Sequence, residues 1–129
     1  MKEFKLFIRN QSDNFNQLTP VEQSAFLKKC EAYINKLKKE GKLLGAQPME
    51  RQGKIVYFTE GTWYESEYDL HSNEVIVGYY HILASDMEEA IEIAKANPEF
   101  EFGTTANIEI RPVKTKEIST GFVYPKKEG

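Results

Sequence analysis

Two arginines have the chemistry to hold a small anion, and each lies in a short segment where apolar and polar residues alternate. Arg9 ends the segment at residues 4–9, and Arg111 lies in the segment at residues 106–113. A guanidinium binds a carboxylate or phosphate through two parallel hydrogen bonds, so two arginines on one surface could clamp such a group. The alternative is structural: Glu109 could hold Arg111 in a salt bridge, or the arginines could form ion pairs between two chains.

His81 is the side chain best suited to move a proton near neutral pH. It lies in the apolar run VIVGYYHILA, and Tyr79 is two residues earlier, on the same face of a strand. A general base needs an orienting partner and access to substrate, and the alternative is a structural histidine held by a hydrogen bond. Glu109 is a second candidate base. The expected ligand-binding residues are Arg9, Arg111, His81 and Tyr79, and the candidate catalytic residues are His81 and Glu109.

The composition argues against several functional classes. The net charge of −3 gives no general affinity for nucleic acid or an anionic membrane, and no apolar run is long enough to span a bilayer. The opening MKEFKLFIRN is too charged for a signal peptide, and a single cysteine, Cys30, fits a reducing cytoplasm. Two isolated histidines make no metal site, and no phosphate-binding glycine loop is present. We therefore expect no metal and no cofactor.

The stretch at residues 73–100 predicts the element around which the candidate residues are arranged. Residues 75–84 are apolar or aromatic on both faces, which is typical of a central strand covered on both sides. Ser85 and Glu88 have the spacing of a capping box at the start of an amphipathic helix. Pro98 ends that helix, because proline cannot continue the hydrogen-bond ladder.

The rest of the chain predicts one domain at residues 1–113 and a polar tail at residues 114–129. Residues 4–9 form a first strand, and Thr19, Pro20 and Glu22 begin a helix that ends at Gly41. A short strand follows at residues 42–49, and then an aromatic hairpin that bends at Glu60-Gly61. A last strand covers residues 106–113.

The order of these elements predicts an α+β domain with the ferredoxin-like, split β-α-β arrangement. Two helices can cover only one face of such a sheet, and the faces with Phe4, Leu6 and Ile8 are expected to meet them. The other face carries Lys5, Arg9, Glu109 and Arg111 by alternation. Since the central strand is apolar on this side too, we expect a second copy of the chain to cover it and enclose a partly polar cavity.

Three segments resemble the YCII-related proteins, especially the branch named for a DGPF motif. They are MKEFKLFIRN, KEGKLLGAQPMERQGKIV and NEVIVGYYHILASDMEEAIEIAKANPEFEFGTTANIEIRPV, which together span residues 1–113. The resemblance implies a ferredoxin-like domain that dimerises sheet to sheet, as dimeric α/β barrels do. The DGPF positions fall here on Ser66, Glu67, Tyr68 and Asp69, so the motif is eroded. The aspartate of a His–Asp pair suspected in some relatives has no counterpart in this sequence.

The function expected from these observations is that of a small homodimer that binds a small molecule, anionic in the arginine-clamp interpretation, on the open face of the sheet. The alternative is an acid–base enzyme of the dimeric α/β-barrel type that acts on a small metabolite. A third hypothesis is an interaction module that uses the aromatic hairpin, which includes Trp63, as its contact surface. The sequence names no substrate.

Overall fold

A computed structural model describes residues 1–11, 14–67 and 74–125 of the chain. The described part contains six strands and two α-helices: β1 Lys2–Asn10, α1 Pro20–Lys39, β2 Leu43–Pro48, β3 Ile55–Thr59, β4 Thr62–Ser66, β5 Val75–Ala84, α2 Met87–Lys95 and β6 Asn107–Pro112. Two 3₁₀ turns, Phe15–Gln17 and Pro98–Phe100, precede α1 and follow α2. Of the residues discussed above, Tyr68, Asp69 and Asn73 lie outside the described residues.

The main sheet has four antiparallel strands in the order β2-β5-β1-β6. The two strands that carry most of the core, β1 and β5, are the two central ones. Each helix follows a central strand and leads to an edge strand, which is the split β-α-β order. The chain is therefore α+β, and its architecture is compatible with a ferredoxin-like fold.

The core lies between one face of this sheet and the two helices. Alternate residues of β1, namely Phe4, Leu6 and Ile8, are buried on that face. Their counterparts on the helices include Leu37 from α1 and Ala90 from α2. Small residues on α2 allow the helix to lie close to the sheet, and the lysines of α1 remain exposed, as the amphipathic pattern predicts.

The start of α1 agrees with the sequence prediction, whereas the start of α2 differs by one residue. Thr19 and Glu22 form a complete capping box, with Pro20 in the first turn. In α2 the N-cap is Asp86, whose carboxylate accepts from the Glu89 amide at 2.9 Å. The predicted capping box of Ser85 and Glu88 is therefore wrong by one position. Ser85 and Asp86 are neighbours and both residue types are strong N-caps, so the sequence alone does not decide between them.

A β-bulge changes which residues of β5 face the helices. The register with β1 shifts between Ile8 and Arg9, so that Arg9 lies opposite Ile76. Strict alternation places Val75 and Val77 with Tyr79 on the open face, but both valines belong to the buried core. Ile76 shares the open face with Arg9 instead, because residues directly opposite in a sheet point the same way.

Strands β3 and β4 form a separate two-stranded hairpin. Its bend is at Glu60 and Gly61, as predicted, and both residues have positive φ angles, 50° and 77°, which suit a tight hairpin turn. Tyr57 stacks on Tyr64 on one side, and Phe58 contacts Trp63 on the other. These side chains are exposed, and Trp63 keeps 71% of its surface.

Two further observations concern the helices and the C-terminal residues. Within residues 1–11, 14–67 and 74–125, no helix combines the length and the apolar composition needed to cross a bilayer.

After β6, a local bridge joins Lys116 to Val123, and the Tyr124 hydroxyl donates to the Glu117 carboxylate. Glu117 also forms an ion pair with Lys114, so residues 114–124 are tied together by contacts among themselves.

Candidate functional site

The predicted site residues lie together on the face of the main sheet opposite the core. In the register of the strands, Lys5 lies beside both His81 and Arg111, and Phe7 lies between Tyr79 and Glu109. Side chains paired in this way point to the same face. Three strands, β5, β1 and β6, therefore bring His81, Tyr79, Arg9, Glu109 and Arg111 onto one surface, although 102 positions separate Arg9 from Arg111.

Arg9 is the centre of an ion-pair cluster on this surface. Its guanidinium bonds to the Glu109 carboxylate and also lies 3.4 Å from Glu74 Oε2. Arg111 lies 3.7 Å from the other oxygen of Glu109, but it remains largely exposed. The structure thus contains the salt bridge between Arg111 and Glu109 that the sequence offered as the alternative to anion binding. Arg9 is partly buried and Glu74 is exposed, so Glu74 is the partner that a ligand could replace most readily.

His81 has a hydrogen-bond partner that the sequence did not reveal. Its Nε2 lies 2.8 Å from Oε1 of Glu3, at the start of β1. The Glu3 side chain is only 7% exposed and the His81 side chain 23% exposed. A histidine oriented by a buried carboxylate is the arrangement that a general base requires, and it is equally the arrangement of a structural histidine.

Lys5 and Tyr79 complete the open face between the two clusters. The Lys5 ammonium lies 4.8 Å from the centre of the Tyr79 ring, within the range of a cation–π contact. Tyr79 is half-buried, so its ring forms an apolar patch between His81 and Arg9. A flat ligand lying on Tyr79 would have the His81–Glu3 pair on one side and the Arg9 cluster on the other.

The chemistry available on this face is acid–base chemistry and anion binding. Carboxylates, guanidinium groups, one imidazole and one ammonium are present. Among the described residues, no three histidine, cysteine, aspartate or glutamate side chains converge so that they could hold a metal ion. Glu109, the second candidate base, is engaged by both Arg9 and Arg111, so each of its carboxylate oxygens already has an ion-pair partner.

A pocket of about 350 Å³ lies on the other side of the sheet, between α1 and one end of β2 and β5. Sequence reasoning did not find it. Apolar side chains of α1 form one wall, among them Phe26 and Ile34. Ala46 and Tyr80 come from the sheet, and Asn97 and Glu99 come from the segment after α2. Pockets of this size and composition are typical of small-molecule sites.

Close approach of two strands closes one wall of this pocket. A Cβ atom on Gly78 would lie 3.1 Å from the Gln47 carbonyl oxygen and 3.3 Å from the Pro48 Cα. A side chain at this position would therefore push β2 away from β5 by a few tenths of an ångström. Asn10 supports the opposite wall: it is fully buried and donates through Nδ2 to Glu99 Oε1 at 2.9 Å.

Three ionisable side chains in and next to the pocket have raised pKa values. Burial raises the pKa of the Cys30 thiol to about 11, and the neighbouring Glu99 charge adds to the effect. Burial also raises the pKa of Tyr80 and of Tyr33, with a smaller opposing effect from the Asn97 amide. All three groups are protonated near neutral pH. Cys30 is thus a protonated thiol near neutral pH, and it lines the pocket.

The missed residues left only weak signals in the sequence. Glu3 falls on the Lys5 face by alternation, but its pairing with His81 depends on the register of two strands 78 positions apart. The pocket depends on Asn97 and Glu99, which the sequence marks only as the residues on either side of Pro98, at the end of a helix. No local pattern predicts that this helix end lies against Asn10 and Tyr80.

Comparison with known protein families gives a match over most of the chain. A family model described as the YCII-related domain matches residues 6–114, which includes the whole main sheet except the first residues of β1, as well as both helices and the hairpin. A search among curated proteins finds no match to the chain.

Proposed function

The chain belongs to the YCII-related family, and from that premise we propose that it forms a homodimer that binds a small anionic molecule on the open face of its main sheet. The observation that carries this proposal is the grouping of Arg9, Arg111, His81 and Tyr79 on one surface that neither helix covers. We place this function in the cytoplasm because the chain has a single cysteine.

The dimer is supported by the apolar groups that the folded chain leaves in water. Ile76 on the open face is 44% exposed, and the hairpin exposes aromatic side chains on both of its sides. A two-stranded hairpin alone is marginally stable in water, and each large apolar side chain that stays exposed forgoes about 1.5–3 kcal/mol. A two-fold contact between sheets would cover these groups in both subunits at once, in the manner of a dimeric α/β barrel.

The class of ligand follows from Arg9, which could exchange the carboxylate of Glu74 for that of a ligand. Its bond to Glu109 would hold the guanidinium in place, while a ligand carboxylate would replace the exposed Glu74. Arg111 is exposed and could then approach the same carboxylate. An aromatic or flat apolar body would lie on Tyr79, next to the Lys5 ammonium. The result is a site for a small carboxylate with a flat apolar part.

Titration with 2-naphthoate, followed by its own fluorescence, tests this assignment. The wild-type protein should bind the probe, and Arg9→Gln should weaken binding at least about tenfold, because a charge-assisted hydrogen bond is worth about 1.5–3 kcal/mol. Lys28→Gln, on the exposed side of α1, removes the same charge and should leave binding unchanged. Equal losses in the two variants would show only a general charge effect and would contradict the proposal.

The second candidate function is an acid–base enzyme, and the 2.8 Å contact between His81 and Glu3 favours it. In this mechanism the imidazole would remove a proton from a carbon next to a carbonyl group, and Arg9 would hold the carboxylate of the substrate. A panel of small keto acids and hydroxy acids incubated in D₂O tests for this step by proton NMR. Enzyme-dependent loss of one C–H signal that His81→Gln abolishes and Lys28→Gln preserves would support it. Exchange equal to that without protein across the panel would contradict it.

A further inference from the structure

We propose that the pocket between α1 and the sheet is a second binding site, for a small, neutral and mostly apolar molecule that carries one carbonyl group. The hydroxyl of Tyr80 is the donor to that carbonyl oxygen. This site lies on the opposite side of the sheet from the anion site proposed above, and it does not depend on that proposal.

The size and lining of the pocket indicate an apolar ligand. Its volume of about 350 Å³ accommodates a molecule of one or two rings. Phe15, Phe26, Leu27 and Ile34 form much of the wall on the side of α1, and Ala46 and Val77 face them from the sheet. These side chains offer dispersion contacts and no hydrogen bonds, so most of the ligand surface must be apolar.

Two charged side chains line the pocket, Arg51, which donates to the Met49 carbonyl, and Glu99, which argues against an anionic ligand at its own end of the pocket. Glu99 lies near both Cys30 and Tyr80, since its charge contributes to the raised pKa of each. A carboxylate ligand beside Glu99 would bring two like charges together in a partly dry site. The Cys30 thiol is itself protonated and neutral. A neutral ligand avoids this repulsion.

The Tyr80 hydroxyl is a hydrogen-bond donor in the pocket that has no acceptor among the described residues. This hydroxyl is protonated near neutral pH, and the Tyr80 ring is held edge-on against Tyr33 at 5.3 Å. Tyr33, by contrast, donates to the Ile93 carbonyl at 2.6 Å. A carbonyl oxygen entering the pocket would satisfy the Tyr80 proton, which a purely apolar ligand would not.

The buried amide of Asn97 provides an independent observation. Its Oδ1 accepts from the Glu99 backbone amide, but its Nδ2 is buried and has no hydrogen-bond partner within the part of the chain that the structure describes. The amide is close enough to the Tyr80 phenol to lower its pKa against the larger effect of burial. When Tyr80 donates to a ligand, its oxygen becomes a better acceptor for Nδ2, since hydrogen bonds in a chain strengthen one another. A single ligand carbonyl would thus lead to a hydrogen-bond partner for both the Tyr80 hydroxyl proton and Asn97 Nδ2.

The test compares three naphthalene probes that differ only in their polar group. These are 2-acetonaphthone, which has a neutral carbonyl, 2-ethylnaphthalene, which has none, and 2-naphthoate, which is charged. Binding is followed by protection of Cys30, the single cysteine of the chain, from the neutral thiol reagent monobromobimane. We expect the ketone to protect Cys30 at a concentration about three- to tenfold lower than the hydrocarbon. The carboxylate should protect it least.

Three variants locate the effect in the pocket. Tyr80→Phe removes only the hydroxyl and should make the ketone bind no better than the hydrocarbon. Tyr64→Phe, on the hairpin, makes the same change elsewhere and should preserve the difference. Ala46→Phe fills the pocket from the edge strand and should weaken both neutral probes. If Tyr80→Phe unfolds the chain, the comparison of ketone with hydrocarbon on the wild-type protein still decides whether the pocket prefers a ligand with a carbonyl group.

Equal protection by the ketone and the hydrocarbon, strongest protection by 2-naphthoate, or no protection at the solubility limit of the ketone would each overturn the proposal. The two proposed sites are also separable. Ketone binding should be insensitive to Arg9→Gln, and 2-naphthoate binding on the open face should be insensitive to Tyr80→Phe.

Discussion

The Nε2 atom of His81 lies 2.8 Å from the Oε1 atom of Glu3, across two neighbouring strands, and the Glu3 side chain is almost fully buried. A largely buried hydrogen bond of this kind couples the two side chains strongly, because little water competes for it. It is the contact on the open face that most resembles part of a catalytic apparatus, and it also links the start of β1 to the middle of β5.

A double-mutant cycle measures this coupling. We expect Glu3→Ala, His81→Ala and the double variant to give an interaction energy of about 1–3 kcal/mol in urea unfolding. The matched control is the exposed pair Glu92 and Lys95, whose atoms are 3.4 Å apart and whose coupling should be below about 0.5 kcal/mol. A cycle for Glu3 and His81 no larger than the control would show that the pair is not coupled in solution.

The proposed dimer predicts different effects for two lysine substitutions of exposed apolar residues. Ile76→Lys places a charge in the open face and should convert the protein to a species of 14.9 kDa in sedimentation at micromolar concentration. Val21→Lys, on the first turn of α1, where the native side chain is 79% exposed, should leave the mass of the wild-type species unchanged. A wild-type protein that sediments as a monomer throughout this range would argue against the dimer and against an enclosed cavity.

The raised pKa of Cys30 predicts slow alkylation that accelerates with pH. Since the pKa rises from 9.0 to about 11, the thiolate fraction at pH 8 falls about a hundredfold below that of an unperturbed cysteine. The rate with iodoacetamide should rise about tenfold per pH unit until pH approaches 11. The same chain unfolded in urea is the control and should react at the ordinary cysteine rate.

The same shift predicts a loss of stability at alkaline pH. The unfolded thiol ionises near pH 9, before the folded one, so the stability due to the protonated thiol is complete below pH 9 and is lost as pH rises toward 11. The pKa values of Tyr33 and Tyr80 are also raised and act in the same direction. Cys30→Ala should reduce the slope of stability against pH between 9 and 11. An identical slope would show that the two tyrosines dominate.

Two glycine substitutions test the close approach of β2 to β5. Gly78→Ala should cost about 1–3 kcal/mol, because the added methyl group would press on the Gln47 carbonyl and the Pro48 Cα. Gly45→Ala, on the neighbouring strand, meets no atom within 4 Å and should change the free energy of unfolding by less than about 0.5 kcal/mol. Urea unfolding of both variants checks this, and similar values for the two would mean that the strands can separate at Gly78 without penalty.

Much of the candidate open-face site could be predicted by alternation within single strands. Arg9, Glu109 and Arg111 were expected on one face, and the strand register places them there. The exceptions occur where a regular period breaks. The bulge next to Arg9 moved Val75 and Val77 into the core and Ile76 onto the open face, and the one sequence signal beside it, Gly78, does not fix where the register shifts.

The sequence by itself determined the order of the elements, the cap of α1, the turn at Glu60 and Gly61, and the family, because each depends on residues close together along the chain. Only the tertiary structure decided that Glu3 is the partner of His81, that Glu109 occupies Arg9, and that a pocket opens between α1 and the sheet. The contacts that carry these relationships join residues 78 to 100 positions apart, namely Glu3 with His81, Asn10 with Glu99, and Arg9 with Glu109. They depend on strand register and on the depth at which helices pack, and both are set by the whole core rather than by any local pattern.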